Sequence, residues 1–328
     1  MRKTLSVLIA LFVAFLPAAA GAQRGGKVYR VGVLIPGPAA APNSQAAVRE
    51  LSQALAGLGY SPGRDLMIES RFAEGRTDRM PMLIQELVAA KVDVLVTRSY
   101  PAARAAKEGA GTVPIVTYGT GDPVEVGFAA SLSRPGGNLT GISDMASELS
   151  VKRLDLLKEA VPGIKKAAML WNADDLGMTT RYRAAAAAAA ALGLAVQPLG
   201  VREPEDFDGA FAAMISDKPD GILMVTDNLT TLNRKRVFEF AAAQRIPAIY
   251  EFDRFPRDGG LMSYGPDDKE VTGRMAGLVD RILKGAKPAD LPFEQPTRFR
   301  FVINKKTADA LGLALPAAVI DRADEVIE

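Results

Sequence analysis

Short hydrophobic runs alternate with longer amphipathic segments along most of the chain. From Val28 onward, runs rich in β-branched residues are followed by stretches whose apolar residues recur at helical spacing. Continuous apolar runs are typical of parallel strands that are buried on both faces. The pattern therefore predicts an α/β protein in which helices cover both faces of parallel sheets.

The first half of the chain contains four such units. Its predicted strands are 28–35, 66–72, 92–97 and 115–118, and its predicted helices are 44–58, 78–90 and 101–108. Gly59 and Pro62 end the first helix, and Pro114 precedes the fourth strand.

A second series follows the Pro-Gly-Gly-Asn turn at 135–138. Its predicted strands are 167–171, 195–198, 221–225 and 248–250, and its helices are 147–159, 179–192, 204–215 and 231–244. Two successive series of about 110 residues each predict two similar lobes. The tail adds strands at 260–265 and 299–303 and helices at 267–284 and 305–311, which the pattern alone assigns to neither lobe.

The first 22 residues have the organisation of a secretory signal peptide. Arg2 and Lys3 precede an apolar run over 5–16, and Ala20-Gly21-Ala22 supplies the small residues of a cleavage site. A membrane anchor is the alternative, but the run is shorter than the roughly 20 residues of a spanning helix and ends at Pro17. We expect export and removal of residues 1–22, which places the mature protein in the periplasm.

Composition excludes several classes of function. The chain has no cysteine and no histidine, so it forms no disulfide, thiolate zinc site or imidazole general base. Its formal net charge is +2, and loss of Arg2 and Lys3 makes the basic residues equal in number to the 38 acidic ones. A charge-balanced chain without a basic cluster does not indicate nucleic-acid binding. No later segment is long and apolar enough to predict a membrane span.

No motif predicts catalysis, a metal or a cofactor. Gly119 to Val124 begins like a dinucleotide-binding loop but lacks the third glycine. The pairs Asp174-Asp175 and Asp267-Asp268 are interpreted as helix N-caps, because carboxylates accept hydrogen bonds from the free amides of a first turn. We therefore predict no catalytic residue and no metal ligand.

Ligands of open α/β sheets bind at the carboxyl ends of the strands, and in a two-lobed protein those ends face each other. The predicted strand ends are rich in hydroxyl, amide, tyrosine and acidic side chains, with helix starts directly behind them. These groups suit a small polar ligand that bears a carboxylate. The alternative for any single position is that it caps the following helix. The candidate ligand-binding residues are Asn43, Ser44, Ser99, Tyr100, Tyr118, Thr120, Asn172, Thr226, Asp227, Tyr250 and Glu251.

Several segments carry a family likeness. They are 122–124 (Asp-Pro-Val), 131–141 (SLSRPGGNLTG), 259–266 (GGLMSYGP), 282–292 (ILKGAKPADLP) and 295–297 (Gln-Pro-Thr). With these segments the chain resembles the ABC transporter substrate-binding protein family, which includes the tryptophan/tyrosine-type periplasmic binding proteins. The likeness extends over nearly all of the mature chain, but most of the shared residues belong to turns and packing, so they indicate the fold better than the ligand.

The resemblance implies a type I periplasmic-binding-protein fold, in which three crossing strands join two Rossmann-like lobes. By analogy, the crossings fall near 140–144, 252–260 and 291–298. Lobe one would comprise 23–141 and 261–290, and lobe two 142–260 and 291–328. The implied function is capture of a small organic solute, of amino acid or aromatic carboxylate type, by hinge closure. An ABC permease and its ATPase would be the partners of a monomeric binding protein.

Two other functions remain open from the sequence. In one, the same cleft serves a ligand-sensing module of a membrane receptor. Genes for a permease and an ATPase beside the gene for this protein would favour transport over sensing. An exported hydrolase would need two facing carboxylates, because the chain lacks the other common catalytic groups.

Overall fold

The computed structural model describes residues 27–328, and the predicted signal peptide lies outside this range. Strands and helices alternate along the chain and form two sheets, one of five strands and one of seven. Among the described residues, no helix combines the length and apolarity that a membrane crossing requires. The predicted α/β architecture of two lobes with mainly parallel sheets is confirmed.

Lobe one is built on the five-stranded sheet. Its strands are β1 (Tyr29–Ile35), β2 (Leu66–Phe72), β3 (Val94–Arg98), β4 (Ile115–Tyr118) and β5 (Leu139–Ile142), and its first helices are α1 (Pro42–Gly57), α2 (Met80–Ala89) and α3 (Tyr100–Gly109). All neighbouring strands are parallel, in the order β2-β1-β3-β4-β5. Alternate residues of β1 enter the hydrophobic cores on opposite faces of the sheet, with Val31 and Val33 on one face and Leu34 on the other.

Lobe two begins after β5. It contains strands β6 (Lys166–Asn172), β7 (Ala195–Val201), β8 (Gly221–Met224) and β9 (Ala248–Tyr250), and helices α4 (Ala146–Ala160), α5 (Leu176–Ala191), α6 (Asp206–Ser216), α7 (Asn228–Leu232), α8 (Arg234–Gln244) and α9 (Arg254–Arg257). The single helix predicted over 231–244 is two helices. The Asp227–Thr230 capping box starts the first, and the chain turns at Asn233, whose side-chain amide donates to the Leu229 carbonyl.

The tail contributes to both lobes. Its elements are β10 (Met262–Pro266), α10 (Asp268–Leu283), β11 (Phe299–Asn304), α11 (Lys305–Leu311), α12 (Ala317–Ile320) and β12 (Glu325–Ile327). The seven-stranded sheet has the order β12-β11-β10-β9-β8-β6-β7, and only the β10–β11 pair is antiparallel. The last helix and the last strand had no predicted counterpart.

The structure corrects the predicted lobe boundaries in two places. Strand β10 was expected in lobe one, but it pairs with β9 and β11 in lobe two, so the second crossing lies at Pro266–Asp267 and not in 252–260. Residues 252–260 include Phe255, which is buried in the core of lobe two. In the third crossing, Leu291 and Phe293 pack in lobe-one cores, so the chain leaves lobe one after Glu294, which bridges to β5.

Helix α10 lies in lobe one. Its apolar face, which includes Val271, Met275 and Val279, is buried in the same core as β1 and α1. Asp267 caps its first turn by accepting from the amides of Lys269 and Glu270. The chain therefore passes three times between lobes: after β5, between β10 and α10, and between Glu294 and β11.

Candidate ligand-binding cleft

A cavity of about 980 Å³ lies between the two lobes, where the strands of both sheets end. The loops after β1, β3 and β4 line it from lobe one, the loops after β6, β8 and β9 line it from lobe two, and residues of α1 and α10 complete the wall. This volume is at the upper end of the range for small-molecule sites in proteins.

The lobe-one wall contains two helix starts. Ser99 precedes α3 with a φ of 124°, which is strained for a side chain with a Cβ, and its hydroxyl accepts from the Ala102 amide at 3.4 Å. Helix α1 begins with Pro42 and has neither a side-chain cap nor an acidic residue in its first turn, where Asn43 and Ser44 line the cavity. Its free amides and positive helix end favour an anionic group.

Tyr118, the last residue of β4, lines the cavity and has a buried hydroxyl. Among the described residues this hydroxyl has no hydrogen-bond partner, and the Arg98 guanidinium lies 5.3 Å from the centre of the tyrosine ring. Burial, together with the nearby negative charge of Glu251, raises the pKa of Tyr118 well above its usual range. The hydroxyl therefore stays protonated and can donate a hydrogen bond to a ligand.

The lobe-two wall carries a pair of acids. Asp227 caps α7 by accepting from the Thr230 amide at 2.8 Å, and its other oxygen accepts from the Asn172 side chain at 2.6 Å. Asp175 caps α5 and is 3% exposed. Its pKa is raised to about 7, mainly by burial and secondly by the negative charge of Asp227. A positively charged ligand group beside these two carboxylates would relieve their repulsion.

A second group from lobe two is a free hydroxyl. Thr226 is buried, lines the cavity immediately before Asp227, and its Oγ1 has no hydrogen-bond partner among the described residues. A buried polar atom without a partner is energetically unfavourable, so this hydroxyl is a further point at which a bound ligand gains a hydrogen bond.

A buried ion network lies beside the cavity. Arg181 of α5 forms ion pairs with Asp144 and, at 3.1 Å, with Glu251. Arg153 of α4 donates to the Tyr264 carbonyl at 2.6 Å, and its Nη2 lies 3.7 Å from Glu251. Burial raises the pKa of Asp144 to about 6. Because these groups come from the first crossing and from three elements of lobe two, the network fixes the position of those elements at the floor of the cleft.

Of the eleven candidate residues, seven line the cavity: Asn43, Ser44, Ser99, Tyr118, Thr226, Asp227 and Glu251. The other four do not. The Tyr100 ring stacks on Phe128 with ring centres 5.3 Å apart in a lobe-one core. Thr120 is fully buried, and Asn172 supports Asp227 from behind.

The fourth residue outside the cavity, Tyr250, shows why neighbouring strand residues have different roles. It is 1% exposed and packs against Phe238 and Phe255 in the core of lobe two. Successive side chains of an extended segment point to opposite sides, so Glu251 faces the cavity when Tyr250 faces the core.

The candidate residues omit several charged groups of the cavity. Arg98, Asp175, Arg181, Arg254 and Asp268 all line it. Asp175 and Asp268 were interpreted only as helix caps, and Arg98 directly precedes the candidate Ser99. Arg181 lies within a helix, where no feature of the sequence indicates that it reaches the cleft. Within residues 27–328, no group of three or more acidic side chains could hold a metal ion.

Two α/β lobes, three chain crossings and a cavity between the lobes are the architecture of a two-lobed solute-binding protein. Residues 31–327 match the family of ABC transporter substrate binding proteins, and the chain belongs to this family. The chain is 26% identical over 273 residues to the tyrosine-binding protein of Clostridioides difficile (strain R20291), covering 83% of this chain and 78% of that one.

Solved structures agree with this assignment. A conserved domain protein from Vibrio cholerae O1 biovar El Tor has 26% identity and a TM-score of 0.86, with 92% of this chain and 100% of that chain covered. The ABC domain from Streptococcus pneumoniae in complex with L-Trp has 26% identity and a TM-score of 0.84, with 91% and 99% covered. The fold is that of type I periplasmic binding proteins. Family and relatives are substrate-binding proteins, which confirms the prediction that the chain is not an enzyme.

Proposed function

We propose that this protein is the exported receptor of an ABC importer and that it captures an amino acid or a closely related amino-carboxylate in the cleft. One observation carries the proposal. The cavity offers the acid pair Asp175 and Asp227 on lobe two, and hydrogen-bond donors such as Tyr118 and the start of α1 on lobe one. A zwitterion satisfies both walls at once, whereas a neutral sugar or a simple anion satisfies one.

The relatives support the same ligand class. A tyrosine-binding protein and a structure with bound L-Trp are both 26% identical to this chain. Aromatic amino acids are therefore the first ligands to test.

Binding proceeds by closure of the lobes about the three crossings, so that each wall supplies part of the contacts. One close approach between the lobes involves glycine: a Cβ on Gly177 of α5 would lie 2.6 Å from the Thr120 carbonyl oxygen of lobe one. The absence of a side chain at Gly177 lets the two lobes meet. The closed form is then the one that a permease with its ATPase recognises.

The proposed setting is the periplasm, with residues 1–22 removed and the mature protein monomeric. The amino-terminal Arg2 and Lys3, the apolar run over 5–16 and the small residues at 20–22 support export. A role in an ABC importer supports this location, since the receptor of an importer must meet the solute outside the cytoplasmic membrane.

The test is a thermal-shift screen of residues 23–328 against amino acids, aromatic carboxylates, nucleosides and sugars, followed by calorimetry. A ligand at 100 times its Kd adds about 2.7 kcal/mol of stability to the folded state. Asp227→Asn is the matched variant, because asparagine still caps α7 but lacks the negative charge. We expect amino acids to raise the melting temperature of the wild type and to bind Asp227→Asn at least about tenfold more weakly. A screen in which only sugars or nucleosides bind would refute the proposal.

A further inference from the structure

At one end of the cleft, two arginines contact a single acid. Arg98, the last residue of β3, and Arg254, the first residue of α9, both line the cavity and both contact Asp268. Arg98 Nη2 donates to Asp268 Oδ1 at 3.3 Å, and Arg254 Nη1 donates to Asp268 Oδ2 at 3.2 Å. Two guanidinium groups therefore share one carboxylate.

Other acids nearby are engaged elsewhere. Asp253 lies 3.1 Å from Arg257 and 3.9 Å from Arg300, and Asp258 pairs with Arg234 at 2.9 Å. Among these acids, Asp268 is the one in direct contact with both Arg98 and Arg254.

Arg254 is held in a fixed position with donors to spare. Its guanidinium lies 3.9 Å from the centre of the Phe252 ring, and its Nε–H is buried without an acceptor among the described residues. Arg98 is oriented by the Tyr118 ring and by Thr272 Oγ1 at 3.5 Å. A guanidinium has five N–H donors in a planar fork that matches a carboxylate, and these two groups face the same cavity.

The basic group and the acid pair lie at different points of the cleft. Asp175 follows β6, Asp227 follows β8 and Arg254 follows β9, and these three strands are successive neighbours in the sheet. With adjacent strands about 4.8 Å apart, Asp175 and Arg254 follow strands separated by roughly 10 Å. A ligand whose ammonium lies beside Asp175 therefore reaches Arg254 with an anionic group more distant than its α-carboxylate.

We infer that the natural ligand carries a second anionic group, a carboxylate at the end distant from its amine, and that this group binds between Arg98 and Arg254. The inference rests on the proposed function and narrows it from amino acids in general to carboxyl-bearing amino compounds. Asp268, which comes from lobe one and contacts Arg254 of lobe two, holds the two arginines in the absence of this ligand group.

The experiment compares matched ligands by calorimetry on residues 23–328. The pairs are L-glutamate with L-glutamine, and 4-carboxy-L-phenylalanine with L-phenylalanine. We expect the acid member of at least one pair to bind about tenfold or more tightly than its neutral partner, because a bidentate arginine–carboxylate contact is among the stronger polar interactions. Arg254→Met should abolish this preference, so that the acid and neutral members of a pair bind the variant with Kd values within about twofold of each other.

Two further variants separate recognition from structure. Asp268→Asn removes the competing carboxylate and should keep or increase the preference for the acid member of a pair. If Asp268 and Arg254 form only a structural bridge between the lobes, Asp268→Asn and Arg254→Met should instead weaken the binding of both members alike. Arg257→Met, on the same helix but outside the cavity, is the control for loss of a positive charge. Melting temperatures of all variants establish that they fold.

The outcomes distinguish the two proposals. Neutral amino acids that bind as tightly as their acid partners would overturn the distal carboxylate and leave the proposed function standing. Absence of binding by all four probes and by every amino acid of the broader screen would overturn both.

Discussion

Ligand affinity should depend on pH through Asp175. Burial and the charge of Asp227 raise the pKa of this carboxyl to about 7 in the ligand-free protein, so at pH 6 it is mostly neutral and at pH 8 mostly ionised. A ligand ammonium is attracted only by the ionised form. Below pH 7 Asp175 must lose its proton before it can attract the ammonium, and this deprotonation reduces the free energy of binding. The reduction is about 1.4 kcal/mol per pH unit, so the affinity falls about tenfold per pH unit. Between pH 8 and pH 6 we expect the Kd for an amino acid to rise roughly tenfold.

The assay is calorimetry at pH 6, 7 and 8 with the amino acid that gives the largest thermal shift. Asp175→Asn keeps a residue that can cap α5 and removes the titration, so its Kd should be weaker at pH 8 and nearly constant over this range. Asp174→Asn is the control, because Asp174 is exposed and pairs with Arg202 outside the cavity. A wild-type Kd that is flat between pH 6 and pH 8, or a dependence that survives in Asp175→Asn, would refute the assignment of the ammonium to this carboxyl.

The same raised pKa has an effect on the ligand-free protein. An acid whose pKa is higher in the folded state than in the unfolded chain binds protons more tightly when folded, so its contribution to stability decreases as pH rises from about 4 to 7. Asp175→Asn should therefore gain stability relative to the wild type between pH 5 and pH 8. Urea unfolding without ligand measures this difference, and an unchanged difference across that range would show that the group is not buried as described.

Three further predictions concern structure and closure. Arg181→Met leaves two buried carboxylates without their main partner, so it should lower the free energy of unfolding in urea by about 3–5 kcal/mol. Gly177→Ala puts a Cβ against a lobe-one carbonyl and should weaken ligand binding at least about tenfold by calorimetry. The control is Gly209→Ala, whose Cβ meets nothing within 4 Å and which should stabilise helix α6 by up to about 1 kcal/mol. Tyr100→Ala removes a stacked core ring and should cost about 1–3 kcal/mol in urea unfolding without changing the Kd; a large loss of affinity would place Tyr100 in the binding site.

Much of the fold follows from local sequence pattern. The predicted ranges of β2, β4 and α11 coincide with those in the structure, because short apolar runs and helix-forming stretches were bounded by glycine, proline or capping residues. Strand β10 was misplaced for a different reason. A short apolar strand fits either sheet, and its place is decided by pairing with β9 and with β11, contacts that local pattern does not contain.

The position of the cleft was predictable, but its charged groups were only partly so. The strand-end rule located seven of the residues that line the cavity, since chain direction and parallel pairing determine where strands end. It did not separate Tyr250 from Glu251 or reveal the orientation of Tyr100, because those depend on side-chain packing. Nor did it find Arg181, which reaches the cleft from the interior of a helix.

The cavity's charged residues fall into two groups according to what already neutralises them. Glu251, a predicted ligand-binding residue, is engaged by Arg181 and lies near Arg153, so its charge is compensated within the protein and its role is to hold the floor of the cleft. Asp175 and Arg254 are different. The Asp175 carboxylate faces the like charge of Asp227, and the buried Nε–H of Arg254 has no acceptor among the described residues. Interactions that the protein leaves incomplete are the ones a ligand can complete on closure, so specificity should be sought at these two residues.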